Sequence, residues 1–329
     1  MKNNNFTTQS VLYDTGKIRF VEHKMPELAP HELLVRVRAT SLNRADLLQR
    51  DGRYQPLPEE VQVPGVEIAG EVVACGGAAS RFRLGDRIYG VVPGGGFSTY
   101  CIVDEGMAMS IPEHWSFIEA AAVAEAGLTA DTSLFTVGHL EPGQTVLIHA
   151  AASGVGTMAV QMVRQAGAQA LCTTGSQGKV DALYALGAEY VFYGHGSKFP
   201  HALQDFGYDE VDLIIDLVGG RYFKGNLAAL RPGGCLVMVG LLDSFEWHAD
   251  FVPIINKRLN LHGVVLRKRP IEQRRQVTQD FLRRWSTAII KGLLKPVIST
   301  IHPFSELEKA LREMEDNHNI GKIVLDIGD

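Results

Sequence analysis

The sequence lacks several features that would assign it to other protein classes. Its four cysteines are scattered over 329 residues, which argues against a disulfide-rich secreted fold and predicts reduced core thiols. The formal net charge of −5 argues against a dedicated nucleic-acid binder. An uncharged run from Pro142 to Val163 contains glycines and polar residues, so it does not predict a membrane-spanning helix. The polar start Met1–Asn5 predicts no signal peptide, and we expect a cytoplasmic protein.

The composition and the periodicity predict a globular chain of two domains. Residues 6 to about 125 carry short alternating runs, at 33–39, 70–74 and 86–92, which are typical of a twisted β-barrel. From about 127, apolar strands alternate with helices, which predicts a doubly wound parallel sheet and hence an α/β fold class. The predicted strands are 145–150, 169–174, 189–193, 211–217, 235–240 and 260–266, and the predicted helices are 155–166, 179–186, 198–206 and 221–230.

The tail of the chain predicts a return to the first domain. It holds a long helix at Ile271–Lys291, a capping box at Ser305–Glu308 and a closing strand at Lys322–Asp326. A strand that follows those helices is expected to rejoin the barrel. The predicted domains are therefore 1–126 together with 268–329, and 127–267.

The stretch Thr145–Gly156 predicts a phosphate-binding turn. A short apolar strand is followed by small residues and then by one apolar helix face, formed by Val155, Met158, Ala159, Met162, Val163 and Ala166. Orphan amides at such a helix start favour a pyrophosphate. Only Gly156 fits the usual glycine motif, since Ala151 and Ser153 occupy the other two positions, so an ordinary strand–helix turn stays open. The candidate cofactor-binding residues here are Ala151, Ser153, Gly154, Val155 and Gly156.

The end of the next strand indicates which nicotinamide cofactor would bind. NAD-binding proteins place an acidic residue there to hold the ribose 2′-hydroxyl. Residues 172–178 contain no acid, whereas Ser176 lies 20 residues after Gly156 and Lys179 follows. A hydroxyl and a cation suit a 2′-phosphate, so we predict NADPH. The alternative for Lys179 is a solvated lysine.

Seven short motifs occur in order and together resemble the zinc-free quinone oxidoreductases of the medium-chain dehydrogenase/reductase superfamily. The subgroup that they resemble is the one typified by the tumour-suppressor-inducible quinone reductase. The motifs span the chain: Asn43–Asp46, Pro64–Gly70, Gly85–Ile88, Pro93–Gly96, Ala151–Gly156, Thr174–Gln177 and Ile320–Leu325. The resemblance implies a GroES-like barrel, a Rossmann NADPH-binding domain, a quinone bound in a cleft between them, and a homodimer.

The resemblance also implies further site residues. On the substrate side it suggests Asn43 and Tyr54, with Thr129 beside the nicotinamide. For the cofactor it adds Gly175, Tyr193, Gly240, Leu241, Leu266, Arg267 and Lys322.

The resemblance also bears on a metal. Zinc members of the superfamily hold their catalytic zinc through a cysteine and a histidine, and the matching positions here are Asn43 and Val66. Valine cannot ligate zinc and an asparagine is a poor ligand, so we expect no metal. Asp46 and Glu67 flank this position and are expected to make structural hydrogen bonds.

Two other hypotheses for the function of the chain stay open. An enoyl or alkenal double-bond reductase would use the same cofactor but needs a proton donor, for which Tyr54 could serve. An RNA or polyanion binder would use the basic run formed by Arg267–Arg269, Arg274, Arg275, Arg283 and Arg284. We expect a small-molecule acceptor as substrate, with no nucleic acid and no membrane as partner.

Overall fold

Residues 6–14, 16–54, 56, 61–194, 199–246, 248 and 250–328 are described by the computed structural model. Two units divide the chain: Met1–Glu125 with Arg267–Lys291 and Lys295–Asp329, and Ala126–Leu266 with Gly292–Leu294. Arg267 is the predicted last residue of the second domain, but it groups with the first unit. The predicted polar start and the predicted first residue of the helix 198–206 lie outside the described residues.

The secondary structure changes along the chain as the periodicity predicts: the first part consists mainly of strands, and strands then alternate with helices. The strands are β1 (Thr7–Asp14), β2 (Lys17–Lys24), β3 (Glu32–Ser41), β4 (Glu67–Cys75), β5 (Arg87–Val91), β6 (Tyr100–Asp104), β7 (Ala108–Ser110), β8 (Thr145–Ile148), β9 (Gln169–Thr174), β10 (Tyr190–Tyr193), β11 (Val211–Asp216), β12 (Leu230–Met238), β13 (Asn260–Gly263), β14 (Ile298–Pro303) and β15 (Lys322–Asp326). The α-helices are α1 (Arg44–Arg50), α2 (Phe117–Ala121), α3 (Ala124–Asp131), α4 (Gly154–Gln165), α5 (Val180–Leu186), α6 (Phe199–Asp205), α7 (Phe223–Ala229), α8 (Val252–Lys257), α9 (Ile271–Ile290) and α10 (Leu307–Glu315).

The first unit is mainly antiparallel β-structure. Its larger sheet has the order β14-β15-β3-β4-β5-β7, β6 pairs with β3, and β1 pairs with β2. The three alternating runs of the sequence form β3, β4 and β5, so these predicted strands are confirmed. The closing strand β15 pairs antiparallel with β3, with Val324 opposite Ser41, and therefore joins the sheet built by the start of the chain.

The predicted capping box at Ser305 is wrong. Ser305 lies inside a 3₁₀ turn, Phe304–Glu306, and α10 begins only at Leu307. The helix start is set by this preceding turn, since Phe304 is buried in the same core cluster as Leu307. Burial of an apolar side chain contributes about 1.5–3 kcal/mol, which outweighs a cap worth about 1 kcal/mol.

The second unit is the predicted doubly wound parallel sheet. Its strand order is β10-β9-β8-β11-β12-β13, and every pair is parallel. Helix α4 packs beside α5, and α6 packs beside α7. Central side chains such as Leu147, Ile214 and Leu236 are fully buried, as near-continuous apolar strands require. No helix in the described ranges is long and apolar enough to cross a membrane.

Three predicted strands in this sheet have a boundary that differs from the structure by two residues or more. Strand β8 ends at Ile148 rather than at 150, because Ala150 turns into a left-handed conformation with φ of 49°. Strand β13 ends at Gly263 rather than at 266. Strand β12 begins at Leu230, but its pairing with β11 jumps from Leu230 to Cys235. The Pro232–Gly234 segment is thus accommodated as an irregularity within the strand.

Candidate active site

The turn between β8 and α4 is held by the residue that precedes the helix. The Oγ atom of Ser153 accepts a hydrogen bond from the amide of Gly156 at 3.1 Å. The first amides of a helix have no partner inside it, and the helix dipole makes this end positive. Ala151, Ser153, Gly154, Val155 and Gly156 therefore meet at a helix end that suits an anion such as a pyrophosphate.

Close packing within this turn explains why position 156 is a glycine. An added Cβ atom would lie 2.5 Å from the carbonyl oxygen of Ala151 and 2.6 Å from its Cα atom. Gly156 thus allows a close approach of the helix to the turn, which is the packing that the third glycine of a dinucleotide fingerprint provides. The left-handed Ala150 adds strain, and such strain persists only where the surrounding structure holds it.

The ends of the two neighbouring strands carry the remaining polar groups of this edge. After β9 come Gly175, Ser176 and a 3₁₀ turn that ends at Lys179. Gly175 is exposed, while Ser176 and Lys179 are half-buried. Tyr193 ends β10, pairs with Thr174 in the sheet and is 59% exposed. These groups share the carboxyl edge of the sheet, where open α/β sheets bind their ligands.

The other second-unit residues that the resemblance suggests differ in exposure. Gly240 and Leu241 follow β12, and the Gly240 amide donates to the carbonyl of Asp216 at 3.3 Å. Leu241 is 42% exposed and can therefore contact a ligand, whereas Leu266 and Thr129 are buried. The structure thus brings Gly240 and Leu241 to the carboxyl edge of the sheet.

A hydrogen-bonded cluster in the first unit is formed by the half-buried Asn43 and the buried Asp46, Glu67 and Lys322, and we call it the lysine cluster. The Lys322 ammonium donates to the carbonyl oxygen of Leu42 at 2.7 Å, to Asn43 Oδ1 at 2.7 Å and to Glu67 Oε1 at 2.8 Å. An ammonium group carries three protons, so these three acceptors match its capacity. Lys322 therefore fixes Asn43 and Glu67 in place. Its contact with a cofactor stays a prediction.

The carboxylate of Glu67 is satisfied although it is fully buried. Its Oε1 atom also accepts from the Ser41 hydroxyl at 2.7 Å and from the Asn43 side-chain amide at 2.8 Å. Its Oε2 atom accepts from the backbone amide of Glu125 at 2.8 Å. These donors offset the cost of removing a carboxylate from water. The predicted structural hydrogen bonding of Glu67 is confirmed.

Asp46 is the second buried carboxyl group of the lysine cluster. Its Oδ2 atom accepts a hydrogen bond from the backbone amide of Asn43 at 2.7 Å, which confirms its predicted structural role. Burial raises the pKa of Asp46 to about 7, although the Asn43 amide and the Lys322 ammonium oppose this shift. Protonation of Asp46 near neutral pH would therefore change the net charge of the cluster.

Two residues of the predicted site that lie far apart in sequence stack on each other. The guanidinium carbon of Arg267 lies 5.4 Å from the ring centroid of Tyr54, which is the geometry of a cation–π contact. Both residues belong to the first unit. The resemblance implies that Arg267 contacts the cofactor and that Tyr54 contacts the substrate, and no pattern in the sequence links the two residues. Both roles stay predictions.

Two protein families match separate parts of this chain. The family described as "Alcohol dehydrogenase GroES-like domain" matches residues 29–113, and the family described as "Zinc-binding dehydrogenase" matches residues 154–283. The chain belongs to the medium-chain dehydrogenase/reductase superfamily. It is a quinone-oxidoreductase-like oxidoreductase of this superfamily, whose members generally use nicotinamide cofactors.

Curated relatives support this placement over nearly the whole chain. A quinone oxidoreductase of Rattus norvegicus is 28% identical and aligns with 91% of this chain and 89% of its own length. The synaptic vesicle membrane protein VAT-1 homolog of Homo sapiens is 29% identical over 95% of this chain and 83% of its own length. A mycocerosic acid synthase-like polyketide synthase of Mycobacterium tuberculosis is 32% identical, but the chain spans only 15% of that protein.

Solved structures show the same architecture. The human synaptic vesicle membrane protein VAT-1 homolog-like protein superposes with a TM-score of 0.86 at 25% identity, covering 98% of both chains. The CurK enoyl reductase superposes with a TM-score of 0.85 at 26% identity, covering 97% of this chain and 99% of the other.

The residues present do not fit the zinc that one family description names. At the two positions that match zinc ligands in the superfamily, Val66 offers no donor atom. The Asn43 amide already bonds to Glu67 and Lys322. The Lys322 ammonium adds a positive charge that would repel a dication. Within the described ranges, no three His, Cys, Asp or Glu side chains are grouped to hold a metal ion.

Proposed function

We propose that this chain is an NADPH-dependent quinone oxidoreductase that transfers hydride without a metal. The observation that carries the proposal is the pairing of two features in the second unit. One is the capped start of α4, and the other is the acid-free end of β9 with Ser176 and Lys179. The similarity to a rat quinone oxidoreductase supports the acceptor class.

The cofactor would be held by backbone amides and by two side chains. When bound, NADPH supplies a hydride from C4 of its nicotinamide ring. The α4 amides would bind the pyrophosphate, while the Ser176 hydroxyl and the Lys179 ammonium would bind the 2′-phosphate. A charge-assisted hydrogen bond contributes about 1.5–3 kcal/mol, so Lys179 should favour NADPH over NADH by about ten- to a hundredfold.

The substrate side needs little acid–base chemistry. Tyr54, with Arg267 stacked on one side of its ring, would contact a planar quinone. Asn43 would line the substrate mouth, held in one orientation by Glu67 and Lys322. Thr129 would pack beside the nicotinamide. A reduced quinone can take its protons from solvent, so no dedicated acid is required.

The test is an NADPH-oxidation assay with a panel of ortho- and para-quinones and α,β-unsaturated carbonyls, with and without a chelator. We expect quinone turnover that the chelator does not change. The Lys179→Ala variant should lose affinity for NADPH and keep its affinity for NADH, while Lys309→Ala in the first unit serves as control. Loss of turnover on chelation, or an equal loss of both coenzymes, would refute the proposal.

An enoyl or alkenal reductase is the second candidate. The similarity to the CurK enoyl reductase and to a polyketide synthase favours it. Reduction of a carbon–carbon double bond needs a proton donor at the neighbouring carbon, and the Tyr54 hydroxyl is our candidate for it. Tyr54→Phe should then abolish enone reduction. If the variant reduces enones as fast as the native chain, Tyr54 is not the donor.

A homodimer is part of the proposal. Strand β13 is an outer strand of its sheet, and the segment before it exposes Phe251, Val252 and Ile255, which is 75% exposed. An outer strand beside apolar side chains is suited to pairing with a second copy of the chain. Light scattering at micromolar concentration should give twice the monomer mass of 36.0 kDa, and a monomer mass would contradict the dimer.

The polyanion-binding alternative loses support from the ion pairs of the basic run. Arg275 pairs with Asp104 at 2.6 Å, and Arg283 pairs with Asp280 at 2.6 Å. These carboxylates reduce the positive potential that a polyanion would need.

The four cysteines are free thiols, which fits the proposed cytoplasmic location.

A further inference from the structure

Four buried polar side chains of the second unit form a hydrogen-bonded chain, which we call the histidine network: Thr173, His149, Asn226 and Asp216. The ring of His149 is fully buried, with Nδ1 2.9 Å from the Thr173 hydroxyl and Nε2 2.7 Å from Asn226 Oδ1. The Asn226 side-chain amide donates to Asp216 Oδ2 at 2.8 Å. None of these residues has a role in the proposed hydride transfer.

The hydrogen-bond partners determine where the protons lie. The carboxylate of Asp216 only accepts, so the NH₂ group of Asn226 faces it and the Asn226 carbonyl is left as an acceptor for His149. The Nε2 atom of His149 must then carry the proton, and Nδ1 must accept from the Thr173 hydroxyl. Burial lowers the pKa of His149, which favours the neutral ring, although Asp216 and Asn226 oppose this shift. The network has a fixed direction.

The network joins the two turns at the centre of the carboxyl edge. His149 directly follows β8, and its backbone amide donates to the carbonyl of Ile215 in β11 at 3.0 Å. The next residue is the left-handed Ala150, which opens the turn to α4. At the other end, Asp216 Oδ1 accepts from the backbone amides of Val218 at 2.7 Å and Gly219 at 2.9 Å. One set of side chains thus fixes both turns.

We propose that His149 is a positioning residue, and that the histidine network holds the β8–α4 turn and the turn after β11 in the shape that binds the shared part of a nicotinamide dinucleotide. This inference rests on the proposed cofactor binding. A left-handed residue and a close helix approach keep their geometry only where their surroundings over-determine them. The pyrophosphate is common to NADPH and NADH, so the network should act on both coenzymes equally.

The test compares Thr173→Val with Thr173→Ser by calorimetric titration with NADPH and with NADH. Valine removes the hydroxyl that donates to His149, whereas serine restores it. We expect Thr173→Val to weaken both coenzymes by about tenfold, which corresponds to ~1.4 kcal/mol, and Thr173→Ser to bind almost as the native chain does. An equal loss of affinity for NADPH and NADH distinguishes this role from that of Lys179, because Lys179→Ala should lose affinity for NADPH alone.

Phe199→Leu is the control for packing alone. The ring of Phe199 contacts that of His149, with centroids 4.7 Å apart, but makes none of the network's hydrogen bonds. It should lower the melting temperature and leave both dissociation constants unchanged. If Thr173→Val behaves in the same way, or if serine does not restore binding, the positioning role is refuted. If the native chain binds neither coenzyme, the proposed function fails together with it.

The tautomer of His149 gives a readout that needs no coenzyme. Nitrogen NMR of the native chain should show a protonated Nε2 and an unprotonated Nδ1, and this state should persist below the ordinary histidine pKa of about 6.5. A protonated Nδ1, or an imidazolium at pH 6, would refute the direction of the network.

Discussion

The two units solve the problem of buried polar groups in different ways. The lysine cluster of the first unit pairs an ammonium with a carboxylate at 2.8 Å and surrounds both with donors and acceptors. The histidine network of the second unit contains one carboxylate without a cation among its members, and this carboxylate is held by two backbone amides and by Asn226. The first arrangement depends on charge, and the second depends on hydrogen-bond direction.

The difference predicts unequal tolerance to substitution. When one member of a buried ion pair is removed, the other charge is left uncompensated, which costs about 3–5 kcal/mol. When a neutral hydrogen-bonding group is removed, a polar atom loses its partner, which costs about 1–3 kcal/mol. If an amide replaces the Asp216 carboxylate, which sets the direction of the histidine network, that direction can reverse, whereas an ion pair has no such alternative.

The largest effect is expected for Lys322→Met. This change leaves Glu67 buried without its cation and should lower the free energy of unfolding by about 3–5 kcal/mol in chemical denaturation. The double variant Lys322→Met/Glu67→Gln should recover much of the loss. Lys309→Met, which breaks an exposed pair with Glu306, is the control and should cost at most about 1 kcal/mol. Equal losses in the two single variants would show that the cluster does not depend on charge.

The two regions should contribute differently to the pH dependence of the free energy of unfolding. The larger contribution is expected from Asp46 of the lysine cluster, and Asp46→Asn tests it. Because burial raises the pKa of Asp46 to about 7, the folded state binds more protons than the unfolded state between about pH 4 and 7. This contribution to stability is present in acid and is lost as the pH rises, by at most about 1.4 kcal/mol per pH unit. Asp46→Asn should flatten this limb, and an unchanged slope would contradict the assignment.

A smaller effect is expected for Asp216→Asn, because the histidine network can reverse. The amide of an asparagine at 216 could donate to the Asn226 carbonyl, whose NH₂ group would then face Nε2 of His149. We expect a cost of about 1–2 kcal/mol and a shift of the His149 proton to Nδ1, measured by denaturation and by nitrogen NMR. A cost as large as that of Lys322→Met would erase the distinction between the two regions.

The smallest effect is expected for His149→Gln, which should change how the free energy of unfolding falls below about pH 6.5. The lowered pKa of His149 means that the unfolded state binds more protons below about pH 6.5. Stability from this residue is therefore present above that pH and falls as the pH decreases, which is opposite in sign to the effect of Asp46. The variant should lose less stability than the native chain between pH 6.5 and 5. A parallel decline would mean that His149 is not neutral in the folded state.

The sequence predicts features that depend on neighbouring residues better than features that depend on residues brought together by the fold. The parallel strands of the second unit follow from apolar runs, and the α4 turn follows from Ser153 and Gly156, which act within a few residues. Their boundaries shifted where a single backbone conformation, such as that of Ala150, decided them. Ser305 failed as a cap because the packing of Phe304 places a 3₁₀ turn there.

The clusters were not predictable because their members are distant in the chain. Lys322 of β15 meets Glu67 of β4 across the one strand between them, β3, and Arg267 meets Tyr54 from a distant part of the chain. No periodicity links such pairs. The hydrogen-bonding partners of the buried His149 ring also come from distant parts of the chain. Its connection to two turns became visible only when β8, β9 and β11 were placed side by side.

The central claim is that the second unit holds NADPH through the start of α4 and through Ser176 and Lys179. Calorimetric titration of the native chain and of Lys179→Ala with NADPH and with NADH tests it most directly. We predict binding of NADPH by the native chain and a loss of about ten- to a hundredfold for NADPH alone in the variant. No heat of binding with millimolar NADPH, or an equal loss of both coenzymes, would contradict the claim.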